Sequence, residues 1–128
     1  METVIIAAPL AYDLEIKKRL GEVGVVTTTE DGTLVFEDGK SRVYISRNDA
    51  VRDEFEPERL GLIVNTIAQP VFYSVDFSDI TTCRKVLAAI VDNPSIMVDN
   101  DHGVALKGSE FVKLLRSNHE WDWRYPSQ

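Results

Sequence analysis

The chain predicts a single α+β domain, one mixed or mainly antiparallel sheet with about four helices packed on it. Three observations carry this. Two Asp-Gly pairs, Asp31-Gly32 and Asp38-Gly39, punctuate a run of β-branched and aromatic residues. Segments of helical period stand before and after that run. The 128 residues, 44% apolar and 27% charged, match one ordinary globular domain spanning residues 1–128, with neither repeat nor linker to divide it.

Each element has its own signature. "TVIIAAP" at the start is a continuous apolar run ending in proline, which suits a strand buried on both faces. In "LAYDLEIKKRLGEVG", Leu10, Leu14 and Leu20 with Ile16 and Val23 trace a helical stripe that Gly21 or Gly24 can end. Lys17, Lys18 and Arg19 are expected in its last turns. "VVTTTEDGTLVFEDGKSRVYIS" then reads as a three-stranded antiparallel meander, each Asp-Gly pair able to take the positive φ of a type I′ turn. The polar "RNDAVRDEFEPERLG" follows, with Pro57 where a helix can begin. Leu60, Ile63, Val64 and Ile67 supply that helix with one apolar face.

"PVFYSVDF" alternates Val71, Tyr73, Val75 and Phe77 against Phe72, Ser74 and Asp76, as a strand does. In "SDITTCRKVLAAIVDNP", Ser78 or Asp79 can cap a helix whose stripe is Ile80, Cys83, Leu87, Ile90 and Val91. "SIMVDNDHGVAL" reads as strand, turn, strand. "GSEFVKLLRSNHEW" reads as a helix with Ser109 as cap and Phe111, Leu114 and Leu115 inward.

The formal charge of −7 opposes phosphate backbones and anionic lipid heads, so neither nucleic acid nor membrane is an expected partner. It favours a protein with a basic surface, and it also keeps a protein dissolved. One cysteine, Cys83, cannot form an internal disulfide. "METVIIAAPL" is too short to span a bilayer and lacks a basic leading region, which points to the buried first strand of a cytoplasmic protein.

The densest polar cluster is "VDNDHG". Asp99, Asp101 and His102 are types that ligate divalent ions. The EF-hand pattern and the paired-histidine motifs are missing, and the only other histidine is His119 in another segment. Asp, Asn and Gly are also the residues of tight turns, and a hairpin turn without metal is the favoured expectation. Catalytic motifs are absent: no Gly-x-Ser-x-Gly, no P-loop, and Cys83 on an apolar helix face. No cofactor is expected. Asp49, Asp53, Glu54, Glu56 and Glu58 crowd one segment whose only base is Arg52. In "WDWRY", Trp121, Trp123 and Tyr125 either seal the core or serve an interface, since Trp, Tyr and Arg dominate binding hot spots.

Taken together, a small acidic α+β chain without a catalytic set resembles the small bacterial proteins that neutralise a toxin partner. "VDNDHGVALKGSEFVKLL" with "WDWR" is similar to a segment of uncharacterised bacterial proteins found in such roles. The resemblance implies a non-catalytic binding or inhibitory protein, of which an immunity protein facing a basic toxin is the concrete case. The acids from Asp49 to Glu58 and the tail aromatics would meet the partner. Two alternatives stay open. One is a metal-assisted hydrolase using Asp99, Asp101 and His102. The other is a structural subunit of a homo-oligomer joined through its tail.

Overall fold

The computed structural model describes residues 1–100 and 105–125. Its frame is one seven-stranded sheet, antiparallel throughout the described residues, in the order β2-β3-β4-β5-β1-β6-β7. The strands are β1 (Glu2–Ala8), β2 (Val25–Thr28), β3 (Leu34–Asp38), β4 (Ser41–Arg47), β5 (Val71–Phe77), β6 (Met97–Asp99) and β7 (Ala105–Lys107). The helices are α1 (Tyr12–Val23), α2 (Pro57–Thr66), α3 (Ile80–Ile90) and α4 (Gly108–Ser117), with a 3-10 helix over Asp49–Glu54.

Strand alternation divides the core between two faces. Val4, Ile6 and Ala8 of β1, and Val71, Tyr73, Val75 and Phe77 of β5, meet the buried residues of α1, α3 and α4. Ile5, Ala7, Phe72 and Met97 point the other way, against Val51 of the 3-10 helix and Ile63 and Ile67 near α2. Both central strands are therefore nearly continuous apolar runs. The 3-10 helix and α2 leave part of the second face open, and there the strands carry Thr3, Ser46, Ser74 and Asp76.

The meander forms as expected, but its turns are not type I′. That type needs positive φ at both central residues, and among the described non-glycine residues only Ala11 has it. Asp38 pairs with Ser41, so the central residues are Gly39 and Lys40. Gly39 has φ 62°, the sign a type II′ turn asks of its first position. Thr28 pairs with Leu34, and the wider loop closes through Thr29 N–H to Thr33 O at 2.9 Å and Gly32 N–H to Thr29 O at 3.0 Å. Gly32, at φ 88°, takes the left-handed position after the turn.

Helix phases also needed the structure. The buried side of α1 is Tyr12, Ile16 and Leu20, while Leu10 and Leu14 are exposed. Tyr12 wins the inward position because its ring packs in the core and its hydroxyl donates to Ile90 O at 2.6 Å, at the end of α3. The helix runs through Gly21 to Val23, so Lys17 to Arg19 lie in its middle rather than its last turns. Asp79 caps α3 as expected, accepting from Thr81 N–H at 2.8 Å. Ser109 does not cap α4: the helix begins one residue earlier, preceded by Lys107, and Leu114 is partly exposed while Val112 is buried.

Candidate functional site

The acidic segment folds as the 3-10 helix, a short extended link through Phe55 and Glu56, and the start of α2. Pro57 holds the first helical position, where no N–H is needed. Phe55 packs on Phe72 with ring centroids 5.7 Å apart, and Val51 is buried beneath. These apolar anchors turn the acids outward. Asp53, Glu54, Glu56 and Glu58 are all exposed.

Asp49 is exposed too, but it has a structural task. Its carboxylate accepts from Arg47 Nε at 2.8 Å and from the Phe72 N–H at 3.1 Å. The Arg47 guanidinium, helped by that N–H, holds the carboxyl below the usual carboxylate range. Asp49 thereby ties the 3-10 helix to β4 and β5.

Two adjoining depressions lie beside the acids on the open part of the sheet. The larger, about 400 Å³, runs over Thr3, Ser46, Asn48, Ser74 and Asp76. The other, about 290 Å³, holds Phe55, Glu56, Arg59 and Asp99. Ile5, Val51 and Glu54 border both. Side chains brace the floor: Asn48 Nδ2 donates to Ser74 Oγ at 2.9 Å, and the Thr3 hydroxyl donates to Asp76 Oδ1 at 2.5 Å. In the sequence the strand members of this floor were legible only as the polar half of an alternating strand; in the fold Ser74 is buried and the others are half-buried.

The VDNDHG cluster is described only in part. Asp99 ends β6, is buried, and receives Arg59 Nη1 at 3.1 Å. Asn100 is buried, and its side-chain amide donates to Trp123 O. Asp101 and His102, with the turn expected there, lie outside the described residues. The strands flanking them, β6 and β7, pair antiparallel with Asp99 opposite Ala105. Among the described residues no group of three His, Cys, Asp or Glu side chains could hold a metal ion. Cys83 is fully buried, and desolvation pushes its thiol well up, which suits packing and not nucleophilic attack.

The tail corrects one expectation. Trp123 cannot meet a partner: it is 1% exposed, with its ring 5.7 Å from Phe77 and 5.6 Å from Phe111. Trp121 is half-buried against Phe111. Tyr125 is 55% exposed and leaves the core because the chain turns at Asp122, whose backbone O accepts from the Tyr125 N–H at 3.0 Å. The rings thus close the core as a turn, and only Tyr125 and the outer part of Trp121 remain at the surface. Arg84 of α3 secures the tail by donating to Leu115 O at 2.9 Å, Asn118 O at 3.3 Å, and Trp121 O.

Arg124 fixes the turn from its other side, binding Asp122 through Nε and Nη2 (2.9 and 2.6 Å) and Glu2 through Nη1 (2.6 Å). Its guanidinium holds the Asp122 carboxyl below the usual range. A depressed folded pKa gives stability above the unfolded value, about 3.9, that is lost as pH falls through the lower folded value. Asp122→Asn should therefore lower stability at neutral pH and leave stability falling less steeply as pH drops below about 4. Urea unfolding across that range measures it, and an acid limb parallel to the parent's would count against the linkage.

Among the described residues no helix is long and apolar enough to cross a membrane. No family model matches the chain, and neither the curated proteins nor the solved structures contain a match to it.

Proposed function

We propose that the chain is a non-catalytic binding protein whose acidic 3-10 helix and α2 start dock on a basic surface of a protein partner. An immunity protein that neutralises a toxin in the cytoplasm is the concrete case. The observation that carries the reading is the set of exposed carboxylates Asp53, Glu54, Glu56 and Glu58 on a backbone anchored by Val51 and Phe55. Anchoring matters because charges presented in a fixed array lose less conformational freedom on docking than charges on a loose loop. Beside them, the open polar face offers hydroxyls and amides for hydrogen bonds at the rim of such an interface.

The reading is tested with the partner recovered by affinity purification from the source cells. Asp53, Glu54 and Glu56 are changed together to lysine and association is followed at low and high salt. The expected result is an association rate at least about tenfold lower at low salt, with the difference shrinking as salt screens the field. A folded variant with an unchanged rate at low salt would leave these acids as a solvated face.

A further inference from the structure

A groove of about 450 Å³ lies on the α1 side of the sheet, between the first turns of α1, the β2–β3 loop and the end of β4. One wall is apolar, made by Leu14 with the buried Leu34 and Ile45 at its base. Leu14 is 73% exposed, a large apolar side chain that the fold leaves beside the opening.

The remaining wall carries both signs of charge in equal number: Asp13 and Asp31 against Lys17 and Arg47. The Asp31 carboxylate is fixed in place by the Thr33 N–H at 3.1 Å and by the Thr29 hydroxyl. Arg47 is steadied through Nε by Asp49, and its terminal nitrogens have no hydrogen bond among the described residues. Asp13 and Lys17 stand four residues apart on α1, the spacing of a helical ion pair, yet no ion pair joins them; Asp13 instead acts across the groove on Arg47 and Tyr73.

Tyr73 closes the groove. It is 3% exposed, and its hydroxyl, with the Asp13 backbone N–H close by, makes no well-formed hydrogen bond among the described residues. Burial, and then Asp13, pushes the phenol up, so it keeps its proton as a donor. A buried hydroxyl without a well-formed hydrogen bond at the end of a groove is a group that a bound ligand can satisfy.

We propose that this groove binds a small zwitterionic amphiphile of the apolar α-amino acid class. Its carboxylate meets Lys17 and Arg47, its ammonium meets Asp13 and Asp31, and its side chain lies on Leu14, Leu34 and Ile45. A simple anion of this size would face two carboxylates, and a simple cation two basic groups; a ligand bearing both charges can meet Lys17 and the free edge of Arg47 with one end and Asp13 and Asp31 with the other. The volume falls in the range of about 300–1,000 Å³ usual for small-molecule sites.

The test is titration of the isotope-labelled full chain with L-leucine, read by amide chemical shifts. The controls are leucinamide, which lacks the carboxylate, 4-methylpentanoate, which lacks the ammonium, and glycine, which lacks the apolar group. Saturable shifts confined to the groove are expected with leucine, and binding at least about tenfold weaker for each control. Lys17→Glu, a surface change, should weaken leucine binding by about tenfold, and Tyr73→Phe should weaken it in a chain that still folds. No saturation by about 10 mM leucine, equal binding of any control, or shifts centred elsewhere would overturn the assignment.

Discussion

Truncating Trp123 to alanine is expected to remove about 3–5 kcal/mol of unfolding free energy, out of the 5–15 kcal/mol typical of a domain. The indole is fully buried between Phe77 of β5 and Phe111 of α4, so its removal opens a cavity at the junction of sheet, helix and tail. The surroundings cannot collapse into it easily. Arg84 and Arg124 hold the tail on either side, and Asn100 holds the Trp123 carbonyl. Tyr125→Ala, two residues on at an exposed position, should stay within about 0.5 kcal/mol of the parent. Urea unfolding of the two variants measures the difference. Emission from a Trp121→Phe chain adds a check that does not depend on folding energetics, since a buried Trp123 should emit at short wavelength and resist quenching by iodide. A loss below about 1 kcal/mol, or a quenchable indole, would move Trp123 to the surface and restore the tail as an interface.

What could be read from the sequence, and what could not, follows from how local each signal is. The meander, the start of α2 at Pro57 and the Asp79 cap depend on neighbouring residues, and all formed where expected. The phase of α1 depended on the hydroxyl of Tyr12 finding Ile90 O across 78 residues, which no local count of leucines detects. The alternation of β5 was visible, yet the burial of both its halves, all but Asp76, depended on how far the 3-10 helix and α2 extend over the sheet. The acidic segment was legible as an exposed run of charge because charge density is a composition property. The groove was not, because its charges come from three places, Asp13 and Lys17 from α1, Asp31 from the β2–β3 loop and Arg47 from β4, and meet only through the sheet order. The tail misled because Trp at alternate positions looks alike in a hot spot and in a core; Arg84 and Arg124, which decide between them, lie 37 residues away or inside the motif itself.

Three Gly→Ala changes should separate in sign. Gly21 in the last turn of α1 and Gly61 in the middle of α2 sit where an added Cβ meets nothing within 4 Å. Alanine there should stabilise the fold by about 0.5–1 kcal/mol through helix propensity and a less disordered unfolded chain. Gly108 also lies in a helix, and propensity alone predicts the same gain. Its backbone, however, is pressed against the connection between α3 and β6. An added Cβ would fall 1.9 Å from Val91 O and 2.9 Å from Asn93 O. Both are backbone atoms, so no rotamer change relieves the clash. Nor can Gly108 withdraw without loss, because its N–H donates to Ile96 O at 2.7 Å. Alanine must therefore push the start of α4 outward, dragging Phe111 and Val112 from the core and the tail rings that rest on Phe111. The expected cost is about 3 kcal/mol or more, at the upper end of overpacking effects. Chemical denaturation of the three variants in one buffer decides it. A Gly108→Ala chain as stable as the parent would mean that α4 does not approach Val91 this closely, while the other two gains would stand on their own.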